Sequence, residues 1–246
     1  RRLMARAGAG PELTVDQASA QAGPVLMVRA DAAIDQPLIP LLLSSNRLVL
    51  VGEGVDGDVP LAMQVPGPSA ATACDVLLGK ADSIGGETLD RRKPADLKAD
   101  FWKALRKRET PYAFAVSAGN AKAVEWRMFM GTYKGATDLV TKHVWPVPAF
   151  HATRYLAPRG ITPNMVTTVA AVCTVLAFWL FLKGHFAAGL VFAWAMTFLD
   201  TVDGKLARTT LTSSKWGDIF DHGIDLVHPP FWYIAWALGL GAAGFS

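Results

Sequence analysis

The chain has 246 residues, 51% of them hydrophobic, with eight tryptophans, two cysteines and a formal net charge of +3. So small a charge, with no RNP-like, zinc-finger or helix-turn-helix pattern beside it, argues against nucleic acid as a partner. Cys74 and Cys173, the second of them inside an apolar run, can build neither a disulfide framework nor a zinc site, which fits a reducing cytosolic face for the soluble part.

The N-terminal stretch to Gly23 carries a few basic residues but no apolar core of the signal-peptide kind. Up to about residue 125, charged and apolar residues alternate as in a globular protein. Val25 to Val28, a helical-looking run from Asp35 to Asn46, and the β-rich run Arg47 to Gly54 read as strand, helix, strand, a parallel α/β unit. Further strands are predicted at Pro60 to Val65 and around Tyr112 to Val116. The spacing from Ala95 to Glu109 predicts a helix rich in basic residues. Residues 1–125 are therefore read as one α/β domain.

Residues 126–160 interleave Trp126, Phe129, Tyr133, Trp145, Phe150 and Tyr155 with Lys134, Lys142, Arg154 and Arg159. Rings sit well at a membrane interface and cations meet anionic lipid, so this segment reads as a juxtamembrane amphipathic piece. The alternative is a linker packed on the first domain. Residues 161–246 read as an all-α bundle in the bilayer. Thr162 and Pro163 make a good helix start, as N-cap and first-turn proline. Met165 to Leu182 holds eighteen residues without a charge, enough to cross most of a bilayer core at about 1.5 Å per residue. After Lys183, Gly184 and His185, a second span is predicted from about 186 to 208, with its polar end at Asp200 to Arg208. A third apolar stretch, Leu226 to Phe245, contains His228, Pro229 and Pro230, and the prolines predict a kink. The first residue is not Met and the last residues still read as membrane helix, so a fragment with about three spans is expected. Lys134, Lys142, Arg154, Arg159, Lys205, Arg208 and Lys215 flank one side of the spans, against Lys183 alone on the other, which predicts a cytoplasmic location for the front domain and the aspartates.

Those aspartates need an explanation, because an unneutralised carboxylate in a membrane segment is costly. Asp200 and Asp203 are spaced i, i+3, and Gly204 and Ala207 extend the same helical face. Gly217, Asp221 and Asp225 repeat the pattern at i, i+4, i+8 on the next helix, so two antiparallel neighbours can aim four carboxylates at one point. Either their protons stay on or cations sit between them. All-oxygen ligation favours Mg²⁺, Mn²⁺ or Ca²⁺. Gly204 and Ala207 leave room for a ligand to approach the backbone, and Arg208 offers a forked cation to phosphate. Together these residues point to a diphosphate substrate whose developing charge is stabilised by metal.

The pattern Asp200-x2-Asp203-Gly204-x2-Ala207-Arg208-x8-Gly217-x3-Asp221-x3-Asp225 resembles, at every fixed position, the signature of the CDP-alcohol phosphotransferases. These membrane enzymes move a phosphoalcohol from a CDP-alcohol to a hydroxyl acceptor and release CMP. The resemblance covers about 134–246 and implies a two-metal centre of Mg²⁺ or Mn²⁺ held by Asp200, Asp203 and Asp221. Asp225 would contact one metal and act as general base on the acceptor hydroxyl. Gly204, Ala207 and Arg208 would line the CDP site, Pro163 and Asn164 would reach the nucleotide from the start of the first span, and Ser214 would touch the donor. It further implies a homodimer, and usually six spans. His222 and His228 receive no role. The donor would be CDP-diacylglycerol or a CDP-polyol and the acceptor inositol phosphate, glycerol phosphate or a similar alcohol, in phospholipid or polyol-phosphate synthesis.

The front domain is similar to nucleotidyltransferase-like domains through Val25 to Leu43, with Asp31 as the candidate metal- and nucleotide-side carboxylate. It lacks their Gly-rich loop, which makes a noncatalytic accessory domain the preferred reading. The layout resembles bifunctional inositol-phosphate cytidylyltransferase / di-inositol-phosphate phosphate synthases, as does Lys134 to His143. The competing function from another class is a divalent-cation transporter using the same carboxylates. A transport site, however, has no use for Arg208 beside small residues, and its acids should lie nearer mid-membrane.

Overall fold

The computed structural model describes residues 2–97, 101–102, 107–133, 138–212, 215–242 and 244, with the side chains at several positions of the last helix, Asp221 and Asp225 among them, outside the description. The chain divides into two compact units, 1–136 and 137–246.

In the first unit a mixed sheet is built around a strand that its sequence forces into the interior. Leu48–Gly54 (β3) opens with five consecutive apolar or small residues, Leu48 to Gly52, all buried. Because successive side chains point to opposite faces, such a run must be covered on both sides. Leu48 and Leu50 join the core formed by Ile34, Leu38, Ile39 and Leu42, three of which come from the helix Leu38–Ser44 (α1). Val49 and Val51 join Met63, Val65, Ala73, Val76 and Leu77 on the other face, under the helix Ala70–Leu77 (α2).

The sheet also contains Pro24–Val28 (β1), Ala32–Ile34 (β2), Gly57–Pro66 (β4), Asp90–Arg92 (β5) and Ala113–Ala115 (β6). Its order is β1-β4-β3-β6-β2, with β5 also pairing β3. β1 and β3 each pair antiparallel with β4, so they run in the same direction with α1 between them in sequence and β4 between them in space. The strand-helix-strand unit expected from the sequence is thus present as a crossover, but its strands are not neighbours. β4 inserts because the β3–β4 connection is short enough to close as a hairpin, with Gly57 at φ +125°.

The helix expected over Ala95 to Glu109 is not formed. Pro94–Leu97 is a short 3₁₀ turn, and Phe101–Trp102 pairs antiparallel with Lys107–Arg108, while 98–100 and 103–106 lie outside the described residues. Helical spacing over so short a segment is a weak preference that strand pairing overrides. The unit ends with the helix Ala121–Gly131 (α3).

The second unit is helical. Pro146–Leu156 (α4) buries Pro146, Ala149 and Thr153 along one face. The adjoining Trp145 packs edge-on against Trp194 at 5.4 Å and meets Phe198 at 5.1 Å between ring centroids. The aromatic residues read from the sequence as interfacial therefore include one that fastens α4 to the helix Phe186–Thr209 (α6). Pro163–Leu182 (α5) starts as its sequence predicts, with the Thr162 hydroxyl accepting from the Met165 N–H at 3.3 Å and Pro163 in the first turn. Among the described residues, α5 and α6 are the two helices long and apolar enough to cross a membrane. The third apolar stretch belongs to the helix Lys215–Ala242 (α7), which runs without interruption through Pro229 and Pro230.

Packing fixes the register of the three long helices. Phe181 of α5 sits against Gly189 of α6, where an added Cβ would lie 2.5 Å from the ring. On its other side it meets Trp232 and Trp236 of α7. Trp232 Nε1 donates to the Thr174 carbonyl at 3.1 Å, and a Cβ at Gly239 would stand 1.9 Å from the Phe181 carbonyl oxygen. α7 thus advances alongside α5 in the same direction while α6 runs back against it.

Candidate active site

The end of the bundle where α5 begins is where the acidic positions collect. On α6, Asp200, Asp203, Gly204 and Ala207 share a face by the 3.6-residue period. Asp203 is 4% exposed and Asp200 half-buried. The Asp203 carboxylate meets α5 directly, since Thr167 Oγ1, itself buried, lies 2.6 Å from Asp203 Oδ2. The same hydroxyl lies 3.0 Å from the Pro163 carbonyl oxygen, its own i−4 acceptor. The Thr167–Asp203 contact is in line with the Phe181–Gly189 contact, as two helices packed antiparallel in one register require.

The same register places α7. Thr174 pairs with Trp232 and Phe181 with Gly239, so equal rise per residue brings helix positions 221 and 225 level with the first turns of α5, near Pro163 to Thr167. Positions 200, 203, 221 and 225 therefore occupy one end of the bundle. The Asp221 and Asp225 side chains lie outside the described residues, as does Ser214 altogether. Among the described residues no group of three or more His, Cys, Asp or Glu side chains gathers around one point. The describable donor set, Asp200 and Asp203, is all oxygen and suits a hard divalent cation such as Mg²⁺ rather than zinc.

Arg208 stands where the sequence pattern implies, one turn beyond Gly204, and it explains that glycine. A Cβ at residue 204 would come within 3.0 Å of Arg208 Nη2, so the absent side chain lets the guanidinium lie back over residue 204. The room expected there for a ligand is partly taken by Arg208 itself. Ala207 is half-buried, Pro163 faces the Thr167 side of α5, and Asn164 is exposed at the helix opening, its carbonyl accepting from the Thr168 hydroxyl at 2.8 Å. Lys205 is buried beside these residues. Thr167 was not legible as a site residue: a threonine in a helix usually bonds its own i−4 carbonyl, and nothing in a one-dimensional pattern points to a partner 36 residues away.

In the first unit Asp31 is engaged by an arginine. Arg29 holds it through two hydrogen bonds, Nε to Oδ1 at 2.9 Å and Nη2 to Oδ2 at 2.7 Å, and donates through Nη1 to the Leu77 carbonyl at 3.3 Å. The guanidinium keeps the Asp31 carboxyl below its ordinary range. The sequence marks Asp31 as a candidate ligand; the fold makes it half of a fork-to-fork ion pair.

The sequence model of the CDP-alcohol phosphatidyltransferase family matches residues 160–244. Archaetidylinositol phosphate synthase of Pyrococcus horikoshii is 44% identical over 71 residues, 28% of this chain and 37% of the relative. Phosphatidylinositol phosphate synthase of Streptomyces avermitilis is 32% identical over 97 residues, covering 38% of this chain and 37% of the relative. Cholinephosphotransferase 1 of Danio rerio is 34% identical over 107 residues, 40% of this chain and 27% of the relative. The matches thus span about a third of each relative's length, and none of them supports a nucleotidyltransferase identity for the α/β unit. Residues 160–244, which hold α5, α6, α7 and every position of the acidic pattern, are the part of the chain that is similar to the CDP-alcohol phosphatidyltransferase family.

Proposed function

We propose that the helical unit transfers a substituted phosphate from a CDP-alcohol to a hydroxyl acceptor and releases CMP, with Mg²⁺ or Mn²⁺ held by Asp200, Asp203, Asp221 and Asp225. The observation that carries this reading is the shared register of α5, α6 and α7, which brings the two acidic segments to the end of the bundle where Pro163 and Asn164 open α5. The divalent ions, when bound, supply Lewis-acid stabilisation of the charge that builds on the departing CMP phosphate. Arg208, folded over Gly204, offers its fork to the diphosphate. Pro163, Asn164, Ala207 and Ser214 line the nucleotide. Asp225 takes the proton from the acceptor hydroxyl as its oxygen bonds to the β-phosphorus and the bond from that phosphorus to the bridging oxygen of CMP breaks.

The names of the relatives, synthases of inositol-phosphate lipids, favour a phospholipid-type donor, CDP-diacylglycerol or a CDP-polyol, and an acceptor such as inositol phosphate or glycerol phosphate. The sidedness of basic residues supports a cytoplasmic site on a membrane protein, and the resemblance to the family is the ground for a homodimer. The front unit serves as a noncatalytic accessory domain of nucleotidyltransferase-like ancestry, a reading favoured by the closure of Asp31 onto Arg29. Incubation of the protein in detergent or vesicles with CDP-diacylglycerol or CDP-inositol and a panel of alcohols tests the assignment. CMP release that depends on acceptor and is abolished by EDTA is expected; no CMP release with any pair would overturn it.

A further inference from the structure

The contact between Thr167 and Asp203 joins two helices at the acidic end of the bundle, and its chemistry is more specific than packing. A threonine hydroxyl has one hydrogen to give, and here two acceptors compete for it. The Pro163 carbonyl lies at 3.0 Å, an ordinary distance, whereas Asp203 Oδ2 lies at 2.6 Å. Separations of about 2.5–2.7 Å are those of a hydroxyl donating to an ionised carboxylate. The hydrogen therefore goes to Asp203, and the Pro163 carbonyl is the acceptor to which the hydroxyl returns if the carboxylate turns away. Both side chains are more than nine-tenths buried, at 5% and 4% exposure, so water does not compete for either.

Resting on the reading of Asp203 as a metal ligand, we propose that Thr167 is a positioning residue: its hydroxyl fixes one oxygen of the Asp203 carboxylate and so ties the metal-side acid of α6 to the nucleotide-side opening of α5. The carboxylate of a free aspartate rotates about its last bond and presents either oxygen to a cation. With Oδ2 held by a donor on the neighbouring helix, the orientation is set before a cation arrives, and outer partners of this kind commonly govern metal affinity by about 10–100-fold when removed.

The test uses Mn²⁺ alone as probe, with binding to the detergent-solubilised chain followed by electron paramagnetic resonance of the free ion. Thr167→Val removes the donor at nearly constant volume, Thr167→Ser keeps it, and Asp203→Asn removes the acceptor. Mn²⁺ affinity is expected to fall by about 10-fold in Thr167→Val and to stay within about 3-fold of the unsubstituted chain in Thr167→Ser. The Mg²⁺ concentration giving half-maximal CMP release should rise in parallel, with the rate at saturating Mg²⁺ changed much less. Equal Mn²⁺ affinity in Thr167→Val, with Asp203→Asn impaired, would overturn the positioning role and leave the metal assignment standing. Mn²⁺ binding that Asp203→Asn does not alter would overturn both. Should Thr167→Val fail to fold, Thr167→Ala against Thr167→Ser carries the same contrast.

Discussion

Gly204 shows how a single missing side chain shapes the acidic face. Read along the chain, it is one of a small-residue pair beside carboxylates, which suggests space for a ligand. In the fold the space is claimed by Arg208, whose guanidinium would crowd any Cβ at that position. In the proposed reaction this arginine meets the diphosphate, and the glycine is what lets its guanidinium lie back along the helix. In the same proposed reaction Asp225 carries the corresponding demand for proton transfer. Asp225→Asn keeps the size and an oxygen donor but cannot accept the acceptor's proton, and general-base removal typically costs about 10²–10⁴-fold in rate. CMP release should fall by that order while CDP binding, read by equilibrium dialysis, is retained; unchanged CMP release would remove Asp225 from the proton path.

The helices carry their own lesson about local signals and packing. The prolines at 229 and 230 remove two N–H donors, so the carbonyls at 225 and 226 lose their i+4 partners, which is the physical reason a kink is expected there. The helix persists because its C-terminal half is gripped: Trp232 hydrogen-bonds to the α5 backbone, Trp236 packs on Phe181 and Phe186, and the His228 ring nitrogen lies 2.9 Å from the Ile224 carbonyl oxygen. Gly239 permits the closest approach, its Cα hydrogen facing the Phe181 carbonyl where any larger residue would collide with backbone. Gly239→Val should therefore destabilise the bundle by about 1–3 kcal/mol, the usual scale of overpacking. Thermal unfolding in detergent checks this, and because the same contact sets the level of positions 221 and 225, Mn²⁺ affinity should fall with it.

At the scale of the molecule, two units built on different principles share one chain. The first is held by a sheet covered on both faces, and a forked ion pair, Arg29 with Asp31, stands at the end of β1. The Asp31 carboxyl is depressed by the hydrogen bonds and charge of Arg29, so its contribution is present above the unfolded carboxylate value near 3.8 and disappears as pH falls through the still lower folded value. With Asp31 38% exposed, the pair is worth no more than about 1 kcal/mol. Melting curves of wild type and Asp31→Asn should differ by that small margin at pH 5 and 7 alike, and the difference should shrink as the pH falls below the unfolded value of 3.8. CMP release should be unaffected throughout, as a noncatalytic front unit requires.

Much of this is legible in the amino-acid sequence alone. The acidic spacing, the Thr162–Pro163 start and the uncharged run of α5 are local properties, written in residue type and in periods of three to four. The strands β3 and β4 were visible for the same reason, since a buried strand must be apolar along its length. Other features were decided by contacts between distant segments. β4 separates β1 from β3, Arg29 closes on Asp31, Phe101–Trp102 folds back on Lys107–Arg108, α7 passes through its prolines, and Thr167 finds Asp203. In each case the deciding energy is that of a pairing or packing contact whose partner lies elsewhere in the chain, and such a contact leaves no periodic trace in the residues that make it.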